Sequence, residues 1–210
     1  MLQNIFSDVV ETEEELSLMI GLPSELAKRK VITFLDKHCV DYISKSPFLV
    51  LSTSDQYGCD VSPRGDMPGF VQVLDKQHLV IPERPGNKRL DSLRNILANP
   101  KVGLLFFIPG LGETLRVNGK ATIVKDEKLL EKMEVNGHRP LIGIGVEVEE
   151  CFLHCAKAFI RSGLWEPSSW AETEKLPSPA KILSEHSKLP GVAVNTIHKN
   201  LQDSYNNRLY

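Results

Sequence analysis

Cysteine is scarce in this chain of 210 residues: Cys39, Cys59, Cys151 and Cys155 are the full complement. Four thiols scattered this widely do not make a disulfide scaffold, and they suit a reducing compartment. No CxxC pair occurs, so Cys151, His154 and Cys155 have poor spacing for a closed zinc site; small buried thiols beside a satisfied imidazole are expected, and no metal. No apolar run approaches the roughly 20 residues that cross a bilayer. The opening MLQNIFSDVVETEEEL lacks the basic start and apolar stretch of a secretory leader, so a cytoplasmic protein with no membrane contact is expected. An excess of one charge is lacking as well. Lys and Arg number 25 against 27 Asp and Glu, which gives a net charge of −2 and no general drive toward nucleic acid. Any anion site must therefore be local. Neither GxGxxG nor GxxxxGKS/T occurs. Ser62, Cys59 and Cys155 have no identifiable base partner, so no nucleophile triad is legible and no catalytic residue is assigned.

What is present is a globular composition, 41% hydrophobic and 25% charged, in a chain long enough for one domain with an ordinary core or one domain with an appendage. Residues 11–20 are acidic and helix-prone. From Pro23 to Ser44, Leu26, Val31, Phe34, Leu35, His38 and Tyr42 recur at mostly helical steps, which predicts one amphipathic helix. Strands are expected at 48–53, from 59, at 70–74, 78–82, 101–108, 114–124 (with a bend or bulge at 117–120) and 141–152. A helix with Leu90, Leu93, Ile96 and Leu97 on one face is expected to end near Asn99-Pro100, further helices are expected at 126–134 and 155–164, and short amphipathic pieces lie around Ile182 and over 194–205. Six or seven short antiparallel strands without a βαβ rhythm point to a mainly β barrel with flanking helices. The chain divides into an N-terminal helical segment (1–46), the barrel (47–165) and a C-terminal helical tail (166–210) packed on the barrel or on a partner subunit.

The most informative stretch is Val61–Ile96. Two strand-like runs each end in Pro, Gly and Arg, and the second cluster runs straight into a helix. Asn87 is placed to cap that helix, with Lys88 and Arg89 in its first turn. Cations there oppose the helix dipole, which suits an anion better than it suits stability. Arg84, Lys88 and Arg89 can answer a dianionic phosphate with charge-assisted hydrogen bonds, and Ser92 adds a hydroxyl one turn on. A solvated basic helix start is the plainer alternative. Ser62, Pro63, Arg64 and Gly65 form a stiff strand-end bend whose backbone can meet a planar ring, and Arg64 can offset negative charge on it. An Arg64–Asp66 surface turn satisfies the same residues equally well. Alternation puts Thr114 and Arg116 on one strand face and Leu115 and Val117 on the other. His154, Lys157 and Arg161 share a face if the strand yields to a helix, with Trp165 as an aromatic wall.

In their order, SPRGDMPGF, VIPERPGNKRLDSLRNIL, NPKVGLLFFIPG, ETLRVNGKA and CFLHCAKAFIRSGLW resemble the successive motifs of the pyridoxamine 5′-phosphate oxidase-like flavoproteins, from about Phe34 to Trp170. The resemblance implies an FMN-binding split β-barrel, with FMN at the interface of a homodimer. It implies that Arg84, Asn87, Lys88 and Arg89 grip the FMN phosphate. Ser62, Pro63, Arg64 and Gly65, with Val80, Ile81 and Pro82, would run beside the flavin ring and ribityl chain. Thr114, Leu115 and Arg116 would lie near the dimer interface, and Lys157, Arg161 and Trp165 would reach the flavin from the second subunit. The implied activity is oxidoreduction of a small molecule, with hydride transfer through flavin N5. The Arg-x-His pair by which pyridoxamine phosphate oxidases hold substrate is missing, since the tail ends HKNLQDSYNNRLY, so vitamin B6 oxidation is not implied. A non-catalytic flavin-binding or sensing protein is one rival reading; a haem-handling barrel with His154 or His138 as ligand is another.

Overall fold

The computed structural model describes residues 5–210, so the first four residues of the expected 1–46 segment lie outside the described residues. Seven strands form one antiparallel sheet: β1 (Phe48–Ser54), β2 (Cys59–Gly65), β3 (Gln72–Val73), β4 (His78–Pro82), β5 (Lys101–Phe107), β6 (Thr114–Val124) and β7 (Gly143–His154). Their order is β2-β1-β5-β6-β7-β4-β3, and the sheet is not closed, as a split barrel requires. Alternation drives the inner face. Leu49 and Leu51 of β1, Val102, Leu104 and Phe106 of β5, and Ile144 and Val146 of β7 are buried in one core. Asp55 turns β1 into β2 by accepting the N–H groups of Tyr57 and Gly58 at 2.8 and 2.9 Å.

β6 and β7 are the longest pair, and their register slips between Asn118 and Gly119, within the expected bend. Only glycine fits at position 119, because a Cβ there would lie 2.0 Å from the Glu147 carbonyl oxygen.

The helices are α1 (Glu13–Ile20), α2 (Glu25–Arg29), α3 (Lys37–Lys45), α4 (Asp91–Ala98), α5 (Glu127–Glu131), α6 (Lys157–Ser162), α7 (Pro179–Ser187) and α8 (Val194–Asn207). The single helix expected over 23–44 is therefore two, and Leu26 and Phe34 are exposed. Ile32 exchanges both backbone hydrogen bonds with Cys151, where the edge of β7 is left open beyond its pairing with β4. The β-branched run Val31-Ile32-Thr33 favours that extended path. Asp36 then caps α3 by accepting from the N–H groups of His38 and Cys39 at 2.9 Å each. α3 buries Cys39, Tyr42 and Ile43, and the Tyr42 hydroxyl donates to the Glu113 carbonyl at 2.7 Å.

The strand expected at 70–74 shrinks to Gln72–Val73, with Phe70 and Val71 entering the core from a turn. α4 buries Ser92, Leu93 and Ile96, whereas Leu90 and Leu97, expected on the same face, are exposed. α7 and α8 pack on one another. Beyond them the chain returns to the sheet, where the Tyr210 hydroxyl donates to Asp66 at 2.8 Å. No helix among the described residues is long and apolar enough to cross a membrane.

Candidate functional site

A cleft of about 970 Å³ opens between β2, the loop from Pro82 to Leu90, the start of α4 and the segment from His138 to Ile142. That volume lies within the range of small-molecule sites, about 300–1,000 Å³. The two segments singled out in the sequence meet here. Ser62, Pro63, Arg64 and Gly65 line one side, and Pro82, Arg84, Asn87, Lys88, Arg89 and Ser92 the other.

The helix start differs from the sequence expectation. α4 begins at Asp91, behind a left-handed Leu90 (φ 62°), and no side chain caps it. Asn87 does not reach the helix; its side-chain oxygen accepts from the N–H of Arg89 at 3.0 Å. Lys88 and Arg89 therefore precede the helix and do not sit in its first turn, where Asp91 stands instead. The reason is the backbone: Lys88 (φ 60°) is also left-handed, so the chain cannot enter the helix until Leu90 has been passed. Non-glycine residues in this region cost of order 1–3 kcal/mol each. The outcome is an uncapped helix N-terminus lining the cleft, with its first N–H groups unused by any capping side chain.

Most of the cations in the cleft are already paired. Arg64 Nη1 donates to Glu83 at 2.5 Å, with both side chains largely shielded. Arg84 Nε donates to Asp66 at 2.6 Å, and Arg89 Nε to Asp91 at 2.7 Å. Arg139 lies 3.5 Å from Glu131 and 3.9 Å from Glu127. The Arg64–Asp66 turn is thus not formed; each residue pairs instead with the loop beyond β4, Arg64 with Glu83 and Asp66 with Arg84. Lys88 alone of these cations has no carboxylate partner among the described residues. Arg64 Nε is buried and has no hydrogen-bond partner among the described residues. Ser62 and Ser92 hydroxyls lie 2.9 Å apart, and Ser92 donates to Asp60 at 2.7 Å.

The remaining expected residues lie away from this cleft within one chain. Val80 and Ile81 point into the core. Thr114 and Leu115 are buried on β6, and Leu115 lines a separate hollow of about 380 Å³ with Cys39 and Cys151. Arg116 is exposed, with its guanidinium 5.4 Å from the Phe152 ring. Lys157 and Arg161 are exposed on α6, while Trp165 stacks on Phe159 at 5.5 Å and donates to the Leu111 carbonyl at 2.9 Å. His154 ends β7, so it does not share a helix face with Lys157 and Arg161. Burial, then the charges of Lys30 and Arg116, hold its pKa below the usual imidazole value. His138 does line the cleft. Cys155 is exposed, against the expectation of a buried thiol, because it lies past the last core position of β7. No cluster of three or more His, Cys, Asp or Glu side chains suited to a metal occurs among the described residues.

Several lining residues escaped the sequence reading. Asp60, Glu83, Arg139 and Tyr210 belong to the cleft, and Asp66 lies behind it. The Asn136-Gly137 pair was a usable signal: both residues are left-handed, and Val135 and His138 bridge across them. That turn brings His138 and Arg139 to the cleft. Nothing local marks Tyr210.

A family model described as pyridoxamine 5′-phosphate oxidase matches residues 35–155. No curated protein matches the chain. Among solved structures, HupZ from Group A Streptococcus is similar with a TM-score of 0.45 at 19% identity, covering 56% of this chain and 92% of that one. General Stress Protein 26 from Bacillus anthracis has a TM-score of 0.42 at 19% identity, covering 54% and 88%. A FAD-binding protein from Mesorhizobium loti has a TM-score of 0.40 at 17% identity, covering 60% and 99%. The family model spans more than half of the sequence, from the start of α3 through β7, and on that match the chain belongs to the pyridoxamine 5′-phosphate oxidase family.

Proposed function

We propose that this protein binds FMN in the cleft beside α4 and works as a homodimeric oxidoreductase on a small molecule in the cytoplasm. One observation carries the reading. The uncapped N-terminus of α4, the Lys88 ammonium and the terminal nitrogens of Arg84, which have no partner among the described residues, all border the same cleft. Helix N–H groups, a lysine and an arginine fork are a donor set suited to a phosphate dianion. The donors also fit the rest of the group. Arg64 Nε is an orphaned buried donor on the strand expected to run beside the ring, and Pro63 and Gly65 leave backbone exposed there.

Bound there, a flavin supplies hydride and electron exchange at its ring. The chain's own residues hold and orient it. Lys88 and the helix start take the phosphate, and Ser62–Gly65 borders the ring. The Arg64–Glu83 pair sets a nearly neutral field, so Arg64 contributes a directed hydrogen bond more than a bare charge. The homodimer is supported by α1, which buries none of its residues and leaves Leu18, Met19 and Ile20 exposed. In that assembly Lys157, Arg161 and Trp165 would approach the flavin from the second subunit.

The test is a titration with FMN and with riboflavin, followed by flavin fluorescence, on wild type and on Lys88→Ala. FMN should bind more tightly than riboflavin, and Lys88→Ala should weaken FMN binding by about tenfold, the size of one charged hydrogen bond, while sparing riboflavin. Equal affinity for the two flavins in wild type overturns the reading. Analytical ultracentrifugation tests the homodimer; a monomer at micromolar concentration refutes it.

A further inference from the structure

The far end of the chain takes part in this cleft. The Tyr210 hydroxyl donates to Asp66 Oδ1 at 2.8 Å, and the tyrosine ring lies 5.6 Å from the Arg84 guanidinium carbon. Asp66 Oδ1 also accepts the Met67 N–H at 2.7 Å, and its Oδ2 accepts Arg84 Nε at 2.6 Å. The Asp66 side chain is only 1% exposed and that of Arg84 15%. A guanidinium carries five N–H donors, and Asp66 takes only the Nε edge. The two terminal nitrogens of Arg84 keep no protein partner among the described residues. A planar cation gripped on one edge, with a ring against it, loses most of its rotational freedom. What remains presented is a fork that matches two oxygens of a phosphate.

Resting on the phosphate reading of the cleft, we propose that Asp66 and Tyr210 are positioning residues for Arg84. The segment Arg208–Tyr210 is then a strap that makes the cleft selective for a phosphorylated ligand over its unphosphorylated analogue. Asp66 sets the edge of the guanidinium that faces inward. Tyr210 shields that ion pair from water and holds the carboxylate in place. The ligand phosphate is met by an arginine already oriented, so less side-chain freedom is lost on binding.

The experiment uses the full chain and compares FMN with riboflavin in wild type, Tyr210→Phe, Tyr210→Ala, Arg84→Lys and the double variant Arg84→Lys/Tyr210→Ala. Circular dichroism verifies that each is folded. Tyr210→Ala should lower the preference for FMN over riboflavin by about three- to tenfold, FMN affinity falling by more than riboflavin affinity. Tyr210→Phe keeps the ring and loses the bond to Asp66, so a smaller loss is expected. In the Arg84→Lys background, which retains the charge and loses the fork, Tyr210→Ala should have no further effect. That last result separates action through Arg84 from general support of the fold. An unchanged preference in Tyr210→Ala overturns the proposal. So does an equal loss for both flavins, or a gain in FMN affinity, which would make Tyr210 a plug. If wild type itself shows no preference for FMN, the phosphate reading falls and this proposal with it. A wild-type preference that survives in Tyr210→Ala removes the strap alone.

Discussion

Replacing Arg84 by alanine should perturb folding as well as the proposed phosphate binding, and the burial of its partner sets the size of the folding loss. Arg84 is the cation paired with Asp66, a carboxylate whose side chain is 1% exposed. Removing one partner of a buried ion pair typically costs 3–5 kcal/mol, because the other charge is left without compensation. Asp66 keeps two donors here, the Met67 N–H and the Tyr210 hydroxyl. Deleting the arginine side chain also opens a path for water. The expected destabilisation is therefore about 2–3 kcal/mol, at or below the lower end of that range. For a chain of this size that corresponds to a fall in Tm of roughly 4–12 °C. The double variant Arg84→Ala/Asp66→Asn carries no unpaired buried charge and should recover at least half of the loss. Urea unfolding of wild type, both single variants and the double variant at pH 7 closes the cycle. Strict additivity, or an Arg84→Ala variant within about 0.5 kcal/mol of wild type, refutes the argument. The pH dependence has a fixed sign. Burial alone would push the Asp66 carboxyl up, but hydrogen bonds from Tyr210 and Met67 and the Arg84 guanidinium outweigh it and hold the pKa below the ordinary 3.8. Its ionised form thus stabilises the fold above pH 3.8, and that contribution is lost as pH falls through the lowered value. Asp66→Asn should flatten the acid limb of the stability curve.

Other outcomes follow from single contacts. Gly119→Ala places a methyl 2.0 Å from the Glu147 carbonyl oxygen, so it should cost at least the upper end of the usual ~1–3 kcal/mol for overpacking; a wild-type melting temperature would contradict it. Burial, with Glu113 nearby, raises the Tyr42 phenol to about 12. The raised value means stability present below pH 10 and lost between pH 10 and 12, so Tyr42→Phe should lose roughly 1 kcal/mol at neutral pH and flatten the alkaline limb. Thiol titration should find Cys59 and Cys155 fast and Cys39 and Cys151 protected until denaturant is added; four fast thiols would contradict the placement of α3 against β7. FMN affinity should fall only modestly with added salt, because most cations of the cleft are already paired; a loss of several decades between about 0.05 and 0.5 M salt would show them to be free.

Strands were the most legible part of the fold, because short apolar runs stand between turn residues: 48–53 and 101–108 read as strands on that ground, and β6, where Thr114 and Arg116 alternate with Leu115 and Val117, emerged with the expected limits, Thr114–Val124. The helix expected over 23–44 failed because apolar spacing alone cannot register a partner strand. Ile32 is claimed by Cys151 from far along the chain, and the cap at Asp36 was the local sign that a new helix begins. The cleft was legible to the extent that its walls are contiguous in sequence. Ser62–Gly65 and Pro82–Ser92 each carry their own turn chemistry. Its ion pairs were not legible. Arg64 and Glu83, or Arg84 and Asp66, are joined only after β2 and the loop beyond β4 come together.

That difference alters how the cleft has to work. Counting Arg84, Lys88 and Arg89 along the chain suggests a strongly cationic pocket, in which attraction alone would gather anions. The folded arrangement neutralises Arg64, Arg84 and Arg89 with Glu83, Asp66 and Asp91 and leaves Lys88 as the net positive charge among them. An exposed excess of charge would be screened by salt and would accept any anion. A paired cleft is held in shape by its own carboxylates, and what it offers is direction: the fork of Arg84, the buried N–H of Arg64 and the uncapped amides of α4. Directed donors in shielded surroundings discriminate by geometry, since a ligand that cannot reach them leaves buried polar groups unsatisfied. On the proposed function, selectivity among phosphorylated ligands would rest on how rigidly those donors are aimed.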